Sequence, residues 1–258
     1  MKTTVGIRHR RRGRIGVVVA CVSALVSMLP GARALELPPR IRGAELNLAD
    51  LDTEVVERAA RWNVNCLHLK IRTDGADAPA PTAADPLAPY RRQLERLPDA
   101  LRACRKYEIP VILTAAAIHG QRSGQFWQRT PEGREARGHL VAFWQRLARE
   151  LRQAPAIAGY GILNGPDCPM QKRDLFYEEL VPAAMAAIRR HAPDKWLLVQ
   201  PVPWGMANGF RAMPAFEDRR ILYSFDHYEP TEYTRRKRTL GPDGELTGAH
   251  YPGMIRTR

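Results

Sequence analysis

Cysteine is scarce in this 258-residue chain, and the four present, Cys21, Cys66, Cys104 and Cys168, have no metal-like spacing. That composition offers neither a zinc site nor a disulfide framework. Cys66 lies inside an apolar strand pattern and Cys104 on the apolar face of a helical pattern, so both read as core thiols. No apolar run reaches the roughly 20 residues of a membrane-spanning helix. No repeat shorter than a strand-helix unit is visible. Acidic side chains are also few, 27 against 40 lysines and arginines, for a net charge of +13.

Much of that positive excess stands at the start of the chain. Residues 2–14 are basic, residues 15–29 apolar, and Ala32-Arg33-Ala34 forms a small-x-small cleavage site, the three parts of a secretory signal. We expect cleavage after Ala34 and release of the remainder to the periplasm or the exterior, with no stable membrane anchor. Arg11-Arg12 lacks the rest of a twin-arginine motif, and the apolar run continues past Cys21, against a lipoprotein signal. Cleavage removes seven basic residues and no acidic one, so the net charge falls from +13 to +6. It leaves Cys66, Cys104 and Cys168, an odd number, so at least one thiol is free or pairs with another chain. Arg235-Arg236-Lys237-Arg238 stands in a Thr/Gly/Pro-rich segment and reads as a solvated loop, so no nucleic-acid partner is expected.

From residue 35 onward, short apolar runs alternate with helical patterns. Strands are predicted at residues 40–48, 65–71, 110–117, from 156, 196–200 and 221–225. The first helix spans about residues 51–62, capped by Asp50 or Asp52. Leu94, Leu97, Leu101, Cys104 and Tyr107 mark the buried face of the second. Thr130-Pro131-Glu132 is a helix start, with the hydroxyl as cap and proline in the first turn. That helix is expected to bury Val141, Trp144, Leu147 and Leu151. Residues 175–190 read as a helical region broken by proline. Such alternation calls for parallel strands joined by right-handed crossovers, an α/β fold.

Residues 156–168, AIAGYGILNGPDC, carry no charge before Asp167, as in a strand covered on both faces that ends in a polar loop. With its flanks this stretch resembles the fourth strand of glycoside hydrolase family 5, the cellulase type. Further matches are RIRGAELNL at the start, WNVNCLHLKI, IPVILTAAAIHG, AFWQRLAREL and YSFDHYEP at 223–230. No single one is decisive, but their order and spacing make the resemblance specific over residues 35–258. It implies a (β/α)8 TIM-barrel type fold with about six of eight units present. It also implies a retaining β-glycanase using two glutamates, an acid/base after strand four and a nucleophile after strand seven, with no cofactor and no metal.

The family's strand four ends in Asn-Glu-Pro, whereas this chain has Asn164-Gly165-Pro166. Gly165 therefore stands where the acid/base should be, and a glycine can neither hold nor give a proton. His68 matches a strand-two position that is usually Arg. The family's His-x-Tyr aligns with Asp226-His227-Tyr228, which shifts the histidine by one residue. No segment matching the nucleophile strand is found. By resemblance the binding surface comprises His119, Asn164, Trp204, His227 and Tyr228. Three of them have a plainer alternative: a loop histidine for His119, a turn-closing amide for Asn164 and a packed core ring for Trp204.

Asp167, Glu45 and Glu229 are the carboxylates that could substitute, but nothing in the sequence pairs them across a glycosidic bond. Three readings follow: a hydrolase scaffold without activity, a pseudoenzyme that binds a β-linked polysaccharide or oligosaccharide, and an active hydrolase with relocated carboxylates. A sheet of six strands is also expected to self-associate through its open edges.

Overall fold

The computed structural model describes residues 34–75, 77–121 and 124–227. The signal segment, the basic run at 235–238, Tyr228 and Glu229 lie outside the described residues. Six parallel strands form one sheet in sequential order: β1 Gly43–Asn47, β2 Cys66–Ile71, β3 Val111–Ala115, β4 Ile157–Gly161, β5 Trp196–Val199 and β6 Ile221–Tyr223. Each neighbour follows by a crossover, the order of a TIM barrel, and β1 and β6 are the edges among the described residues. No helix among them is long and apolar enough to cross a membrane.

Four helices cover the outer face: α1 Thr53–Arg61, α2 Leu97–Lys106, α3 Pro131–Glu150 and α4 Val181–Arg189. Local chemistry sets their starts. The Asp52 carboxylate accepts the Val55 N–H at 2.8 Å, and the Thr130 hydroxyl accepts the Gly133 N–H at 3.2 Å, with Pro131 opening α3. Leu140, Phe143, Trp144 and Leu147 form the buried face of α3, whereas the expected Val141 sits half-buried at its margin. The residues before Pro182 do not break. Leu175–Leu180 forms a π-helix that runs directly into α4, so the helical path continues through Pro182, which lies next to the irregular turn.

Strand alternation sorts the core into two faces. Leu67, Leu69 and Ile71 of β2, Leu113 of β3 and Leu197 of β5 pack outward against the helices, while Cys66, Ile112 and Leu198 form a separate small cluster on the inner face. Behind β4, rings run from Tyr90 to Phe143, Trp144 and Tyr160 at centroid spacings of 4.7, 4.9 and 5.7 Å. The Trp144 indole N–H donates to the Ile162 carbonyl at 3.0 Å, which fixes the exit of β4. Cys66, Cys104 and Cys168 are all free and buried, so Cys66 and Cys104 are core thiols as their patterns indicate.

Candidate functional site at the strand C-terminal ends

In a parallel barrel the loops at the C-terminal ends of the strands form the site. The end of β4 is the most constrained of them. Gly161 admits no larger residue, because a Cβ there would stand 2.1 Å from the Thr114 hydroxyl on β3. Beyond it, the Asn164 N–H donates to the Ala115 carbonyl at 2.8 Å, while the Asn164 Oδ1 is buried without a partner among the described residues. Gly165 has φ +50°, and beyond its Cα a Cβ would meet only the Trp204 carbonyl, at 3.9 Å. Asp167 is taken up by the loop: its Oδ1 accepts the Trp127 indole N–H at 2.7 Å and the Gln121 amide at 3.0 Å. It holds two loops together and is not aimed at the place vacant beside Gly165.

β1 and β2 contribute a charged triad. Glu45 and His68 are register partners, and the His68 Nδ1–H donates to the Glu45 carboxylate at 3.1 Å. The His68 Nε2 lies 2.5 Å from the Thr114 hydroxyl, and Lys70 Nζ lies 2.5 Å from the other Glu45 oxygen. The His68 ring thus links the Glu45 carboxylate on β1 to the Thr114 hydroxyl on β3. His68, followed by Lys70, holds the Glu45 carboxyl down to about 2, so it is ionised at all ordinary pH.

β5 and the loop after β6 contribute the opposite case. Gln200, almost wholly buried, accepts the Gly165 N–H at its Oε1 (2.6 Å) and donates from Nε2 to Asp226 at 3.2 Å. Burial, then the charge of Glu45, raises the Asp226 carboxyl above its ordinary range. Neither Gln200 nor Thr114 is evident in the sequence as a site residue. Both are ordinary strand-end polar residues until strand register brings them to Gly165 and His68.

Of the five binding residues expected, four are described. Trp204 is 58% exposed, with φ +64°, and its N–H donates to the Pro166 carbonyl at 2.7 Å. It is therefore no core ring; the loop after β5 brings the Trp204 backbone beside Gly165 and leaves the residue largely exposed. His119, after β3, is half-buried, and its N–H donates to the Tyr90 hydroxyl at 3.3 Å. Burial, then His139, lowers its pKa, leaving a neutral ring. His227 is exposed. Among the described residues no group of three or more His, Cys, Asp or Glu could hold a metal ion.

A parallel β/α scaffold whose polar residues gather at the strand C-terminal ends defines a protein of the TIM-barrel class. The sequence pattern of the cellulase family, glycosyl hydrolase family 5, matches residues 38–250, and the chain belongs to that family. Solved structures share the fold. An endoglucanase superposes with a TM-score of 0.59 at 16% identity, covering 87% of this chain and 66% of its own. Cel5A of Thermotoga maritima in complex with cellobiose gives 0.61 at 16% identity, covering 79% of this chain and 66% of its own. The cellulose synthase subunit Z of Clostridioides difficile gives 0.62 at 13%, covering 80% and 68%. The chain thus spans about two thirds of the length of these structures. No curated protein matches the sequence.

Proposed function

We propose that this protein binds a β-linked glucan at the C-terminal mouth of its sheet and does not cleave it by the family's acid/base chemistry. The observation that carries this reading is the Asn164-Gly165-Trp204 arrangement. The family's acid/base position holds a glycine with open space beyond its Cα, while its neighbours keep the features that receive a sugar. A buried, unpartnered Asn164 Oδ1 calls for a hydroxyl donor. An exposed indole offers a flat apolar face to a pyranose ring. Neutral His119 and exposed His227 complete the surface, together with Tyr228 by family resemblance. The likeness to structures solved with cellobiose supports a β-1,4-linked ligand. Secretion after cleavage at Ala34 belongs to the same proposal, since the polymer lies outside the cell.

The test is titration of the chain with cello-oligosaccharides, followed by Trp fluorescence and calorimetry. Saturable binding that weakens at least about tenfold in Trp204→Ala, roughly 1.4 kcal/mol, supports the reading. Binding unchanged by both Trp204→Ala and Asn164→Ala overturns it.

A second reading, hydrolysis by relocated carboxylates, has one observation in its favour. Glu45 is held ionised while burial and the charge of Glu45 push Asp226 towards its protonated form, the division of labour that acid-assisted hydrolysis needs. Release of reducing ends that disappears in both Glu45→Gln and Asp226→Asn would establish it.

A further inference from the structure

A second cleft opens at the same end of the sheet, beyond β1 and β2, with a volume of about 460 Å³, within the roughly 300–1,000 Å³ of small-molecule sites. None of the residues matched to the family's binding surface lines it. Three arginines do: Arg72, Arg92 and Arg96. Arg96 is partly committed, donating to the Ala49 carbonyl at 2.5 Å. The guanidinium groups of Arg72 and Arg92 form no ion pair among the described residues.

The cleft also contains two carboxylates, and each is occupied. Asp74 accepts the backbone N–H groups of Arg92 at 2.8 Å and Gln93 at 3.3 Å, and Asp50 accepts the Asn47 amide at 2.8 Å. The bond to Asp50 fixes the Asn47 side chain, because Asp50 needs the Nδ2 donor. The Asn47 Oδ1 is thereby left buried in the cleft wall with no partner among the described residues. The walls are held in place by Gln93. Its amide accepts the Arg72 N–H at 3.2 Å and donates to the Arg72 carbonyl at 2.6 Å. The result is a shaped recess offering two unpaired guanidinium forks and one fixed acceptor that lacks a donor.

That combination matches an anionic group and a hydroxyl on one small body. Arginine binds carboxylate in a bidentate manner, and a buried amide oxygen without a donor is satisfied by a hydroxyl. The geometry points to a subsite for an acidic sugar: the cleft takes a uronic-acid residue of the glycan, its carboxylate on Arg72 and Arg92 and a ring hydroxyl on Asn47. This rests on the glycan-binding reading above and narrows it, from a neutral β-glucan to one that carries carboxylate-bearing residues.

The experiment compares two tetrasaccharides on the whole chain by calorimetry: cellotetraose, and a β-linked tetrasaccharide containing one glucuronic acid. The expected result is at least tenfold tighter binding of the acidic ligand at low salt, with the advantage shrinking as salt rises. In Arg72→Ala/Arg92→Ala the acidic ligand should fall to the affinity of cellotetraose, while cellotetraose binding is unchanged. Asn47→Ala should weaken the acidic ligand alone. All three positions are at least partly exposed, and Arg72→Lys/Arg92→Lys, which keeps the charge and loses the fork, provides a second variant expected to lose most of the preference.

Equal binding of the two ligands overturns the inference and leaves the glycan-binding reading intact, as does an acidic preference that survives the double variant. Binding of neither ligand overturns both. Competition by inorganic phosphate at the same concentration as the acidic tetrasaccharide would show a general anion site, and it too overturns the assignment to a sugar acid.

Discussion

The Gly165 N–H donates to the Gln200 Oε1 at 2.6 Å, so the residue we propose stands at the family's acid/base position is tied by its backbone to the end of β5 and, through the Gln200 amide, to Asp226. On that proposal what is missing at Gly165 is a side chain and not the loop that would present one. Asn164, Pro166 and Trp204 are held around it by the Asn164–Ala115 and Trp204–Pro166 bonds. A position so well supported can be refilled, and the consequence of refilling it is specific.

Gly165→Glu is expected to fold. A Cβ there has space, and the cost is the left-handed backbone at φ +50°, about 1–2 kcal/mol for a residue with a side chain. On the proposed reading no nucleophile is paired with this position, so the variant should release no more aryl alcohol from an aryl β-glycoside than the parent. Such substrates need little acid assistance and depend on the nucleophile. Urea denaturation reads the stability and absorbance the turnover. Turnover by the single variant would mean that Glu45 or Asp226 already acts as nucleophile.

Glu45 makes stability depend on acid. Its carboxyl, ordinarily near 4.5, is held at about 2 in the folded chain by His68 and Lys70. A depressed carboxylate pKa contributes stability above the unfolded value and loses it as pH falls from about 4.5 towards 2. Because Glu45 is 40% exposed, the effect is discounted to about 1 kcal/mol. Glu45→Gln should be less stable than the parent at pH 6 and equal to it near pH 2, in paired denaturant titrations.

How much of this was legible in the sequence depended on whether the signal was local. Asp52 and Thr130-Pro131 fix the starts of α1 and α3 by bonds within four residues, and the alternation of strand and helix fixes the parallel order. Pro182 misleads because a π-helix immediately upstream carries the helical path up to it, a register that no local pattern carries. Val141 lies at the edge of a stripe that Leu140 and Phe143 fill better. Gly165 is visible because a family motif surrounds it. Gln200, Thr114 and the Glu45–His68 pair emerge only when strands separated by 23 to 46 residues are set in register. The exposure of Trp204 depends on a left-handed backbone at that residue, for which tryptophan gives no hint.

The three thiols test both the core and the leader. Cys66, Cys104 and Cys168 are buried and free, and burial raises them to about 11, 12 and 12. They should react with a thiol reagent slowly in the native state and completely in denaturant. An exported chain starting at Leu35 should then titrate three thiols. A fourth would mean that Cys21 is retained and the leader uncleaved.

The sheet edges predict association. Among the described residues β1 and β6 have no outer neighbour, and Ile41, Tyr223 and Phe225 expose apolar surface beside the inner cleft between them. Sedimentation should show mass rising with protein concentration, and Tyr223→Lys/Phe225→Lys should reduce it. A concentration-independent monomer would show that these edges are covered.

The measurement that bears most directly on binding without cleavage is mass spectrometry of cellohexaose after prolonged incubation with a saturating excess of the chain. The ligand should be recovered intact, with its binding to the protein seen in the same samples by calorimetry. Cellobiose or cellotriose appearing at a rate proportional to protein concentration, and absent with Glu45→Gln, would contradict the account and make the chain a working hydrolase.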